Sequence, residues 1–143
     1  MKFTSALLPI LALITTATAQ RSYIRNPTNG TSVAKGTPVV VQLVRPNSIQ
    51  GSTEVGIALS FQSCPSSPCP PAEQQLGSIL FVGQYNPQLH EIPGNPYQNF
   101  TVTIPDFDFG PGRAEIISTR FHLIGAGPSP VLETNVVEVN LTN

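Results

Sequence analysis

Residues Tyr97–Ala126, YQNFTVTIPDFDFGPGRAEIISTRFHLIGA, constrain the fold of this chain more than any other stretch. Two apolar, β-rich runs flank a connection crowded with breakers: Pro105, Gly110, Pro111 and Gly112. In Gln98–Ile104 the apolar Phe100, Val102 and Ile104 alternate with Asn99, Thr101 and Thr103, the period of a strand with one buried face. Beyond the breakers, Ile117, Phe121 and Leu123 fall on alternate positions of a second strand, with His122 on the opposite face. The two runs read as the central hairpin of an antiparallel sheet.

The remaining runs have the same character. Ser22–Arg25 reads as a short first strand, closed by the turn chemistry of Asn26-Pro27-Thr28-Asn29-Gly30. After a turn at Lys35–Pro38, Val39–Val44 places Val39, Val41 and Leu43 on one face and Gln42 on the other. Glu54–Phe61 points Val55, Ile57, Leu59 and Phe61 one way and Glu54, Gly56, Ala58 and Ser60 the other. Leu76–Val82 is apolar on both parities and reads as buried on both faces, whereas Gln84–Pro96 reads as an exposed loop. Val131–Leu141 closes the series with Val137, Val139 and Leu141 inward. With 15 Pro and 11 Gly no run sustains a helical period with caps. The expected fold is all-β: a single Ig-like or fibronectin-like antiparallel β-sandwich of about seven strands. The chain has no Trp and its cysteines are close together, so the resemblance to antibody domains is one of architecture only.

Residues 1–19 read as a signal peptide, with Lys2 as the positive n-region, Ala6–Ile14 as an apolar core and Ala17-Thr18-Ala19 as the cleavage signature. The domain is then 20–143, released and extracellular, starting at Gln20. No later stretch reads as a membrane span or a lipid-anchor signal, so no membrane insertion is expected. Losing Lys2 leaves six basic residues against eight acidic ones, and these are scattered. A phosphate backbone calls for a positive stripe, so nucleic acid is not an expected partner.

Cys64 and Cys69 form a close pair in a Pro-rich segment. In an oxidising compartment that reads as a disulfide staple, since C-x4-C lacks redox spacing and no further Cys completes a zinc set. Sequons place candidate N-glycosylation at Asn29, Asn99 and Asn140, the last two on the outward parity of their strands.

Catalytic constellations are lacking. His90 falls in the Gln84–Pro96 loop and His122 on a strand. There is no nucleophile elbow or zinc-binding helix, and a lone strand histidine is more often structural than a base. Asp106-Phe107-Asp108-Phe109-Gly110 misses the calcium-loop pattern; its carboxylates read as solvated, with Phe107 and Phe109 packing. A hydrolase would need Asp106 or Asp108 beside His90 or His122. Gln20 at the mature N-terminus excludes the histidine grip of copper polysaccharide oxygenases. A carbohydrate-binding module fits the architecture, but Tyr23, Tyr85 and Tyr97 supply few aromatics for stacking sugars. Neither an enzyme nor a cofactor is expected, which leaves recognition of another protein, through loops or by strand addition at an edge.

Several segments, in order, resemble a known family. Asn47-Ser-Ile-Gln50 with Glu54-Val-Gly-Ile-Ala-Leu59 is similar to the "Y-I-Q…D-V-A-I-A-F" segment of fungal necrosis-inducing secreted effectors. Leu76–Leu80, Asn99–Pro105, Gly112–Ile116 and Phe121–Ala126 follow, and Val136–Val139 matches the closing "N-x-x-V-x-V" strand. The resemblance implies a secreted effector that engages host immune receptor-associated kinases, modulating immunity or cell death; mushroom relatives are discussed as immunomodulatory proteins. The Pro-rich Cys64–Cys69 insertion departs from the family pattern. So do Arg120 and His122, which stand where the family has small or apolar residues. The resemblance assigns no binding residue. A wall-associated or carbohydrate-binding module is the alternative reading.

Overall fold

The computed structural model describes residues 21–107 and 110–143. The signal-peptide reading, Gln20, Asp108 and Phe109 therefore lie outside the described residues. The described residues form eight strands: β1 Tyr23–Asn26, β2 Thr31–Ala34, β3 Pro38–Val44, β4 Ser52–Ser63, β5 Ser78–Gly83, β6 Tyr97–Thr103, β7 Gly112–Ile124 and β8 Ser129–Thr142. They form a three-stranded sheet in the order β1-β3-β6 and a five-stranded sheet in the order β2-β8-β7-β4-β5. The expected β-sandwich is borne out, with the extra strand β2. That strand pairs parallel to the end of β8, Val33 opposite Leu141, and makes the larger sheet mixed rather than wholly antiparallel. Four residues between two turns are too short to show a period, so β2 is formed by its tertiary partner rather than by pattern.

The runs flanking Pro105–Gly112 do not form a hairpin. β6 pairs with β3 and β7 pairs with β4 and β8, so the connection carries the chain from one sheet to the other. Residues 104–111 intervene, longer than the loops that hold antiparallel neighbours together. Its Phe107 is exposed, at 59% relative accessibility.

Between the sheets lies one core: Ile24 and Val33; Val41 and Leu43; Ile57, Leu59 and Phe61; Phe100, Val102 and Ile104; Ala114 and Ile116; Val137, Val139 and Leu141. The inward parities expected for β3, β6 and β8 hold. For β7 the parity is reversed: Ala114, Ile116, Ser118, Arg120 and His122 are buried on one face while Phe121 is exposed. Ile117, on the outward face, is nonetheless completely buried. The Pro-rich segment explains this, because Gln62 Nε2 donates to Pro70 O at 2.9 Å and ties that segment across the outside of the sheet. Beneath it Ser60, Gln62 and Ile117 are sealed from solvent. Alternation alone cannot tell the two sides of a strand apart when both are covered.

Two further expectations are corrected. β5 is an edge strand with Ile79 and Val82 exposed, and only Leu80 and Phe81 reach the core. Tyr85 in the supposed exposed loop is buried, its hydroxyl donating to Leu43 O at 3.1 Å.

Candidate functional site

At one end the core changes from apolar to charged, and a β-bulge makes the change. The register of β4 on β7 shifts between Glu54 and Gly56, so Glu54 sits opposite His122 and Ile57 opposite Arg120. The extra residue, Val55, is left facing solvent and Glu54 swings onto the inward face, the reverse of the alternation expected.

Arg120 is 1% exposed. Its Nε donates to Glu54 Oε2 at 2.6 Å and its Nη2 to Glu54 Oε1 at 2.5 Å, a bidentate fork. Its Nη1 donates to Glu133 Oε2 at 3.0 Å. That same oxygen accepts from Ser22 Oγ at 2.9 Å, and Asn135 Nδ2 donates to Ser22 Oγ at 3.0 Å. The guanidinium also lies 5.8 Å from the Tyr85 ring centroid. Burial alone would lower the pKa of Arg120, but the hydrogen bonds and charge of Glu54, with those of Glu133, raise it. Burial pushes the Tyr85 phenol up. Arg45 Nη1 closes the network from β3's end, 3.2 Å from both Glu54 Oε1 and Ser52 Oγ. Two arginines balance two glutamates, and strands β4, β7 and β8 are pinned to the chain before β1.

The network supports a loop. Residues 45–51 join β3 to β4. Arg45 N donates to Pro96 O at 2.9 Å, Asn47 N to Gly94 O at 2.8 Å, and Ser48 Oγ to Gln50 O at 2.5 Å. Gly125 N donates to Gly51 O at 3.1 Å, joining the loop to the β7–β8 turn. On this fixed base Ile49 is wholly exposed, at 106% relative accessibility. A cleft of about 210 Å³ opens beside it, lined by Arg45, Asn47, Ser48, Gln50, Arg120 and His122 among others. His122 is itself buried, and its Nδ1 has no hydrogen-bond partner among the described residues. Burial, and then the positive charge of Arg120, holds the His122 pKa below its ordinary value against the opposing pull of Glu54 and Glu133.

The remaining candidates are scattered. His90 stacks on Tyr97 with ring centroids 4.0 Å apart, on the outside of the small sheet. Asp106 lies against Gly36, and no described hydrogen bond or ion pair joins it to either histidine. Among the described residues, no group of three or more His, Cys, Asp or Glu is placed to hold a metal ion. Cys64 and Cys69 are joined, with Cα atoms 5.2 Å apart. Asn29, Asn99 and Asn140 are all exposed. In the sequence Arg120 and His122 stand out singly as departures from the family pattern, but nothing there joins them to Glu54 and Glu133. The missing piece was the bulge, which no local pattern announces.

The family model described as the Nis1 family matches residues 17–140 of this chain. No curated protein matches it. Among solved structures, the chain is similar to "Pseudomonas fluorescens alkylpurine DNA glycosylase AlkC bound to DNA containing an abasic site analog", at a TM-score of 0.40 and 9% identity. That likeness covers 87% of this chain and 30% of that one, so the chain spans under a third of that protein's length. It carries no argument about function.

Proposed function

Given that the chain belongs to the Nis1 family, we propose that it is a secreted, non-enzymatic effector that binds host immune-signalling proteins and modulates immunity or cell death. The family supports the effector reading, since its model spans nearly the whole domain. One geometric observation supports binding through the β3–β4 loop: Ile49 is fully exposed on a loop whose base is held by Arg45, Glu54 and four further hydrogen bonds. A loop ordered before contact loses little entropy on binding, and an apolar side chain at its tip supplies an anchor for a partner pocket. Asn47–Gln50 also belongs to the segments that resemble the necrosis-inducing effectors. The test is transient expression in leaves, with the elicitor-triggered oxidative burst as readout and affinity purification from host extract alongside. Suppression by the wild type, lost in Ile49→Asp at equal accumulation, supports the reading. An unaltered burst with confirmed accumulation of the wild type counts against it.

A second reading, glycan binding, is favoured by the outer face of the small sheet. There the Arg25 guanidinium lies 5.8 Å from the Tyr23 ring and 5.9 Å from the Tyr97 ring, beside Gln42 and Asn99. Retention on chitin, glucan or cellulose tests it, and passage through all three removes it.

A further inference from the structure

We infer that the free half of the β8 edge pairs with the same edge of a second copy, antiparallel about Thr134, so that two five-stranded sheets join into one. Strand β8 is paired along its whole length with β7 on one side. On the other side β2 covers only Val139–Thr142, and no described strand covers Ser129–Val137. The direction of the exposed groups follows from the end of the covered part. Glu138 N donates to the Asn29 side chain, at Oδ1, at 3.0 Å, and Glu138 O accepts from Gly30 N at 2.8 Å. Both backbone groups of Glu138 therefore point away from β7. The β7–β8 register runs without a shift, so Val136, Thr134 and Leu132 point theirs the same way. Pro130, which has no N–H, ends this row at one end, and the Asn29–Gly30 cap ends it at the other.

Edges of this kind are normally blunted by charge, proline or a bulge. Here the three residues with edge-facing backbone are uncharged, and Leu132 (69% exposed) and Val136 (44%) stand on the sheet's outward face. Phe121, directly opposite Leu132 on β7, extends the apolar strip. The row is also self-complementary. In an antiparallel pair centred on Thr134, each Leu132 faces the other copy's Val136, and each of Leu132, Thr134 and Val136 exchanges both backbone bonds with its counterpart. Such an isologous contact closes as a twofold dimer and leaves no free repeat of the edge. The inward residues Glu133 and Asn135 are held by Arg120 and Ser22 and do not interfere. A strand pair this short covers less than the ~800 Å² per partner of a standard interface, so the dimer is weak and concentration-dependent.

Sedimentation velocity of the secreted protein across a concentration series tests the inference. A monomer–dimer equilibrium is expected. Thr134→Pro removes an edge-facing N–H without touching the β7 ladder, and Thr134→Lys sets two like charges on the twofold axis; both are expected to remain monomeric with unchanged melting temperature. Leu132→Lys alone weakens dimerisation about tenfold, and the double variant Leu132→Lys/Val136→Glu restores it, because each lysine then faces a glutamate of the other copy. A wild type of monomer mass at every concentration overturns the inference. So does a dimer that survives both Thr134 variants, and a double variant no tighter than Leu132→Lys overturns the antiparallel pairing. Thr134→Lys keeps the test decisive if the proline variant does not fold.

Discussion

Arg120 on β7 and Glu54 on β4 are joined by two parallel hydrogen bonds, 2.6 and 2.5 Å long, although the alternation of β4 would have placed Glu54 on the far side of the sheet. The bulge at Val55 that makes this contact also fixes where the β3–β4 loop starts, because Arg45 reaches the same carboxylate. A single irregularity in one strand thereby couples the charged end of the core to the loop proposed to meet the partner.

The energetic consequence is asymmetric. Arg120→Leu leaves the buried Glu133 carboxylate without its cation and Glu54 with Arg45 alone, and is expected to cost about 3–5 kcal/mol in urea denaturation. Arg120→Lys keeps the charge but cannot fork between two carboxylates, so its cost falls between wild type and leucine. Replacing all three partners together by apolar residues recovers most of the loss. A leucine variant within about 1 kcal/mol of wild type would show that the network carries no stability.

His122 predicts a pH dependence with a definite sign. Its pKa in the folded chain is lowered, by burial and by Arg120, from an ordinary value of 6.5. As pH falls through that ordinary value the unfolded chain takes up a proton that the folded chain still refuses, so stability is lost on acidification. Wild-type melting temperature should fall between pH 7 and pH 5, and His122→Gln should flatten that part of the profile. A wild type that gains stability over the same interval, relative to the variant, would reverse the sign.

Much of the fold was legible because most strands bury one face. Phe100, Val102 and Ile104, or Val137, Val139 and Leu141, need only a period of two to be placed, and they sit in the core as expected. Legibility failed wherever a long-range cover or a register shift broke that link. Ile117 is sealed by a segment tied through Pro70, more than forty positions earlier, and Glu54 is turned by a bulge. The apparent hairpin failed for a related reason: both strands have proper alternation, but alternation does not say which sheet a strand joins. The candidate site collects these failures. Its members are charged residues inside apolar runs, visible singly as Glu54, Arg120 and Glu133, while their meeting depends on tertiary register.

The cover over Ile117 gives a prediction that distinguishes its two possible supports. Ile117→Asp places a carboxylate in a fully buried position between the sheet and the Pro-rich segment and should cost several kcal/mol, on the order of 3. Replacing Cys64 and Cys69 by Ser should cost less, about 2 kcal/mol, because a short ring restricts little of the unfolded chain. It should also speed proteolysis within residues 65–76. If the two variants cost the same and both leave that segment protected, the segment is not what seals Ile117.

The three sequons differ in what their side chains already do, and this separates their expected behaviour. Asn29 Oδ1 accepts from Glu138 N, Asn99 Oδ1 accepts from Gln42 Nε2 at 3.1 Å, and Asn140 Nδ2 donates to Gly30 O at 3.1 Å. A glycan attaches at Nδ2, so it leaves the accepting oxygens of Asn29 and Asn99 in place and burdens only the donating nitrogen of Asn140. All three residues are exposed, and each is expected to carry a glycan when the protein is secreted from a eukaryotic host. Each Asn→Gln variant should then lose one glycan step in mass, with enzymatic deglycosylation collapsing all forms to one. Stability should separate them further: Asn29→Ala uncaps the end of the free β8 edge and should cost about 1 kcal/mol, whereas Asn99→Ala, on an open face, should cost less. A secreted protein whose mass is unchanged by deglycosylation would overturn the assignment at every site. Equal stability losses for Asn29→Ala and Asn99→Ala would show that the Asn29–Glu138 contact does not hold the start of β2 against β8.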